Sequence, residues 1–113
     1  MTIKALVIEP GGEMRREELK QGCEPLQKIV GGYIEAAPCD DNRMTFWVNE
    51  EGKLIGLEPN PLASLIWFSF APYMRGNDIL FGTVVITGGC DEEGDTLSLD
   101  DALADQIEAG VLA

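Results

Sequence analysis

The chain contains no histidine at all, and its single cation beyond residue 53 is Arg75. Without imidazole there is no Ser-His or Cys-His catalysis and no His-containing zinc site. The three cysteines, Cys23, Cys39 and Cys90, form no C-x-x-C pair, which argues against a disulfide framework or a thiolate metal site. They read as free thiols in a reducing compartment. Long apolar runs are also missing. Ile3–Glu9 has too short an apolar stretch for a secretory signal, and Leu62–Phe70 carries two serines and cannot span a bilayer. The expectation is a soluble, cytoplasmic protein with no membrane partner.

What is present fits one domain. The 113 residues are 45% hydrophobic, with 20 acidic against 8 basic side chains and a formal charge of −12. A mean hydropathy of +0.01 is globular rather than disordered. Such an acidic surface repels phosphate, so direct nucleic-acid binding is not expected.

Local patterns predict the elements. Ile3–Glu9 reads as a strand closed by Pro10-Gly11-Gly12, with residues 13–22 returning as an exposed edge. Pro25 opens a short helix with Leu26, Ile29 and Val30 on one face, and Gly31-Gly32 stops it. Tyr33–Ala37 and Met44–Val48 read as strands. Asn49-Glu50-Glu51-Gly52 then predicts a hairpin turn, its glycine left-handed, with Leu54–Leu57 as the returning strand. Asn60-Pro61 marks a helix start, and Ile79–Thr87 a strand broken at Gly82. Ser98 and Asp101 resemble a capping box before the stripe Leu99, Leu103, Ile107, with Gly110 as stop. The expected fold is α+β, a single domain over residues 1–113. A mainly antiparallel sheet should carry two or three short helices packed on one face.

No catalytic motif emerges. The glycine pairs at 11–12, 31–32 and 88–89 lack phosphate-loop spacing and read as turns that use the left-handed region. Asp91–Asp95 fails as a calcium loop, because Thr96 falls where glycine is needed and Ala102 where a bidentate Glu is needed. Cys39 beside Asp40 and Asp41 is a poor nucleophile. The expectation is a non-enzyme with no cofactor and no metal.

Two features exceed this background. Trp67, Phe68, Phe70, Tyr73 and Phe81 make five of the eight aromatics, and one short helix cannot turn all its apolar residues inward. Trp67, Phe68, Phe70 and Tyr73 are therefore candidate anchors for a partner or for a homodimer. The charge is also uneven: residues 1–53 hold 7 basic and 10 acidic side chains, and residues 54–113 hold 1 and 10. Asp100, Asp101, Asp105 and Glu108 form an acidic helical face, which suggests an alternative role as a DNA-mimic inhibitor of a nucleic-acid-binding protein.

Ile8-Glu9-Pro10-Gly11, Leu26 through Glu35, Asn49 through Leu57, Asn60 and Asp78 through Ile86 together resemble family 3846 of the small domains of unknown function. Bacteriophages, plasmids and their bacterial hosts encode these domains. The resemblance implies a mobile-element accessory protein and brings no established activity. The leading expectation is thus a phage-type accessory protein that binds a host protein, in anti-defence or host takeover. A further alternative is a small-ligand or sequestering protein with a pocket near Tyr33, Glu35, Trp47, Asn49 and Asn60. If the family pattern marks a ligand site, Tyr33, Glu35, Asn49 and Asn60 are its polar members.

Overall fold

A computed structural model describes residues 1–110 of the chain. Its elements run β1 (Thr2–Ile8), β2 (Met14–Lys20), α1 (Cys23–Val30), β3 (Ile34–Ala36) and β4 (Thr45–Asn49). They continue with α2 (Pro61–Phe70), a 3-10 turn at Pro72–Met74, β5 (Val84–Thr87) and α3 (Asp101–Ala109). The strands form one five-stranded sheet in the order β2-β1-β5-β4-β3, and every neighbouring pair is antiparallel. The fold is α+β.

The helices occupy both faces of this sheet, not the single face expected. Ile3, Ala5 and Val7 of β1, with Val85 of β5, pack against Leu26 and Val30 of α1. The alternate residues Leu6, Ile8, Phe46, Val84 and Ile86 pack against α2 and α3 through Ala63, Ile66, Trp67, Leu103 and Ile107. Successive strand side chains point to opposite faces, so a strand apolar at both parities must be covered twice. Val84-Val85-Ile86, all fully buried, carries that signal in its sequence.

The β1–β2 connection forms as read. Gly12 takes φ 96°, and the Glu9 amide donates to the Glu13 carbonyl at 2.9 Å. Helix α1 begins two residues before Pro25, which still lies in the first turn, where no intrahelical N–H bond is lost. Gly31 ends it at φ 80°. The pair at 88–89 is different, since neither residue has positive φ. A Cβ on Gly88 would lie 2.3 Å from the Ser98 carbonyl oxygen, and one on Gly89 2.2 Å from that of Asn42. Close backbone approach, rather than turn geometry, requires glycine there.

The expected hairpin after β4 does not form. The turn exists, with the Gly52 amide donating to the Asn49 carbonyl at 3.1 Å, but Gly52 is not left-handed. The chain then keeps coiling: Ile55 donates to Glu51 at 3.0 Å and Leu57 to Gly52 at 2.9 Å. Both edges of β4 are already occupied, by β3 and by β5, so Leu54–Leu57 has no strand to join. The strand expected over Ile79–Thr87 shortens to β5 because Gly82 turns at φ 78°, leaving one bridge between Pro59 and Phe81.

Asn60 organises this region. Its Oδ1 accepts from the Ala63 amide at 3.1 Å, capping α2, while its Nδ2 donates to the Ile8 and Gly82 carbonyls, each at 2.9 Å. At α3 the cap is Asp100, which accepts from Ala102 at 3.0 Å. Ser98, the expected cap, instead accepts from the Lys4 amide at 2.8 Å, and Leu99 donates to the Lys4 carbonyl at 2.9 Å, which ties residues 98–99 to β1.

Candidate functional site

The aromatic cluster is largely core. Trp67 is fully buried, and its indole N–H donates to the Pro38 carbonyl at 2.8 Å. Phe68 is buried and stacks on Trp67 at 5.8 Å, and Phe70 packs on Phe46 at 6.3 Å. Only Tyr73, 46% exposed, retains much open surface. The expectation that the apolar residues cannot all turn inward holds for Leu65 and Tyr73, which stay exposed, while Trp67 and Phe68 are buried because α2 is covered on more than one side. The sheet takes one flank, and Pro38 and Leu80 take others. A helix apolar all round is a buried helix. Leu65 is its outward residue.

Of the five expected pocket residues only Glu35 and Asn49 border a common cleft; Tyr33, Trp47 and Asn60 do not. Trp47 and Asn49 lie on the α1 face of the sheet, with Trp47 donating to Thr87 Oγ1 at 2.8 Å and Asn49 Nδ2 to the Val30 carbonyl at 3.2 Å. Glu35 pairs with Val48 and so points to the opposite face, and Tyr33 is 69% exposed. Asn60 is wholly consumed by the fold.

The acidic face is only partly free. Arg16 of β2 reaches up to α3, its Nη2 donating to Asp105 at 2.5 Å and its Nε to Glu108 at 3.0 Å. Lys4 pairs with Asp101 at 3.3 Å. These bonds to Arg16 hold the Glu108 carboxyl below the usual carboxylate range. The helical stripe of like charge is therefore answered by cations of the sheet beneath it. A DNA mimic needs the opposite, an uncompensated array. The depression of about 220 Å³ at this junction is lined by Arg16 and the Lys4–Asp101 pair, with Glu17, Glu18 and Leu99.

Elsewhere, the Cys39 thiol is pushed up mainly by burial, with a backbone hydrogen bond at Asp41 opposing, so it is held as the unreactive thiol. Glu9 accepts from Thr83 at 2.6 Å and from Arg15 at 2.7 Å, and these bonds hold its carboxyl below the ordinary value. Both arrangements are explained by packing and by the β1–β2 hairpin.

The surface that the fold does not explain lies at the β3 end of the sheet. A cleft of about 260 Å³ opens between β3, the coil after β4 and the segment before β5. Its floor is apolar, built from Ala37, Val48, Leu80, Phe81 and the edge of Trp67. Glu35, Glu50 and the Lys53–Asp78 ion pair stand at its rim, with the Lys53 ammonium 5.8 Å from the Phe81 ring centre. Leu54 and Ile79 flank it, and Leu54 and the adjoining Ile55 are 86% and 57% exposed. Of the residues singled out in the sequence, Glu35, Asn49, Trp67 and Phe81 line this cleft, each from a different part of the chain. Leu54 and Ile55 lie in the segment expected as the returning strand of a hairpin. Two adjacent aliphatics inside a turn-rich, charged segment were the available signal for an exposed apolar patch.

The fold and this cleft define an acidic α+β domain with an apolar cleft open at one end of the sheet. The chain belongs to the family described as Domain of unknown function (DUF3846), whose profile matches residues 3–111. No curated protein matches it, and neither does any solved structure. Among the described residues no helix is long and apolar enough to cross a membrane.

Proposed function

We propose that this protein is a non-enzymatic accessory protein of phage or mobile-element type that binds a host protein in the cytoplasm, with the cleft at the β3 end as its contact surface. One observation carries the choice of surface: Leu54 and Ile79 stand exposed around an apolar floor, with Ile55 exposed next to Leu54 in the chain. Exposed aliphatics contribute nothing to the fold, and contiguous ones mark interaction sites. Every buried side-chain nitrogen and oxygen among the described residues already has a hydrogen-bond partner. The mobile-element part of the reading rests on the resemblance alone.

A capture experiment tests the placement. Immobilised wild-type protein and the Leu65→Asp variant, altered on the outer side of α2, should retain the same protein from a lysate of the cell that carries the gene. The double variant Leu54→Asp, Ile79→Asp should lose it at least tenfold. Equal retention by all three, or none above a charge-matched control, would overturn the proposal.

A further inference from the structure

Strand β3 is the last strand of the sheet and pairs only with β4. The Tyr33 carbonyl accepts from the Glu50 amide at 2.9 Å, and the Ala37 amide donates to Phe46 at 2.9 Å. In an antiparallel ladder, hydrogen-bonded residues alternate along the strand. Tyr33, Glu35 and Ala37 therefore spend their backbone groups on β4. Ile34 and Ala36 between them turn theirs outward, and Ala36 is exposed.

The two ends of the sheet are guarded differently. The outer strand β2 carries Arg15, Arg16, Glu17 and Glu18 in succession, and both arginines are held in ion pairs. Charges along an edge discourage pairing with another chain. On β3 the only charged residue is Glu35, which faces the cleft. Glu35 and Glu50 have no ion-pair partner among the described residues, whereas Asp78 is answered by Lys53.

We propose that the free edge of β3 accepts an extended, basic segment of the partner protein as an added strand, with a lysine or arginine stem lying on the cleft floor and its head against Glu35 and Glu50. The open edge offers the donors and acceptors of Ile34 and Ala36, and alternate side chains of the added strand share the Glu35 face, beside the cleft. Long basic side chains suit an apolar floor with an acidic rim, because the stem covers hydrocarbon while the charge stays at the mouth. The formal charge of −12 draws such a segment in and repels acidic ones. A second copy of this chain fits poorly: antiparallel self-pairing centred on β3 sets Glu35 against Glu35, and like charges directly opposite are unfavourable. This inference rests on the cleft being the contact surface.

The probe is a seven-residue capped peptide alternating lysine and valine. Its controls are the same peptide with glutamate for lysine and one with a central proline. The lysine peptide should bind, slow hydrogen exchange at the Ile34 and Ala36 amides, and outbind both controls at least tenfold. Glu35→Lys should weaken it at least tenfold. Ala36→Pro should abolish binding while sparing the ladder to β4, which uses Glu35 and Ala37; Glu35→Lys, an exposed substitution, carries the test if that variant fails to fold. Equal binding of the proline peptide would leave only a charged patch. Equal binding of the glutamate peptide would remove the basic specificity. No binding of the lysine peptide at millimolar concentration overturns the strand proposal, as does a homodimer that Ala36→Pro dissociates. If the peptide fails while Leu54→Asp, Ile79→Asp still loses the captured partner, the contact surface stands and only the strand chemistry falls.

Discussion

Asn60→Ala is expected to destabilise the protein by about 3–5 kcal/mol, read from the shift in urea midpoint at constant slope. The side chain is completely buried and makes three bonds at once. Removing it leaves the Gly82 carbonyl short of a donor, at roughly 1–3 kcal/mol, takes a second donor from the Ile8 carbonyl of the β1–β5 ladder, at about 1 kcal/mol, and uncaps α2 at about 1 kcal/mol more. A domain of this size has only about 5–15 kcal/mol in total, so the variant should be near the limit of folding. Asn60→Asp keeps the cap acceptor but donates to neither carbonyl and buries a charge, so it should be no better. A loss under about 1 kcal/mol in Asn60→Ala would mean that water or a backbone shift replaces all three bonds.

Trp67→Ala is expected to cost about 3–5 kcal/mol, the usual range for emptying a large aromatic from a core. Its ring is fully enclosed and its N–H is spent on Pro38. The same substitution separates two roles for the aromatic cluster. Core packing predicts a lower thermal midpoint and faster unfolding. A contact role predicts unchanged stability with weakened partner retention, and that outcome would contradict the placement of Trp67 in the core.

The parts of this fold legible in the sequence are those fixed by neighbours in the chain. Asn60-Pro61 announces the start of α2 because a cap and a first-turn proline act within one helical turn. Gly31 and Gly110 end α1 and α3 in the left-handed region for equally local reasons. The errors arise where distant segments compete. Leu54–Leu57 has a strand-like pattern, yet β5, some forty positions from β4, takes the place a returning strand would need. Ser98 and Asp101 have capping spacing, but Ser98 is diverted to Lys4, at the other end of the chain.

The candidate site divides the same way. Asp101, Asp105 and Glu108 share a helical face as their spacing requires. That Arg16 and Lys4 lie beneath them depends on α3 crossing β1 and β2, which no local pattern encodes. The aromatic run was visible, but the layers covering α2 were not. The cleft is assembled from four separated segments, which bring Glu35, Asn49, Trp67 and Phe81 together although no local pattern links them.

The most direct test of contact at the β3 end is site-specific photo-crosslinking in the cell that carries the gene. A photoreactive side chain would be placed in turn at Leu54, Ile79, Leu65 and Leu97, all exposed positions. The account predicts one discrete covalent product from positions 54 and 79, and none from 65 or 97. A product from 65 or 97 with nothing from 54 and 79 would contradict it.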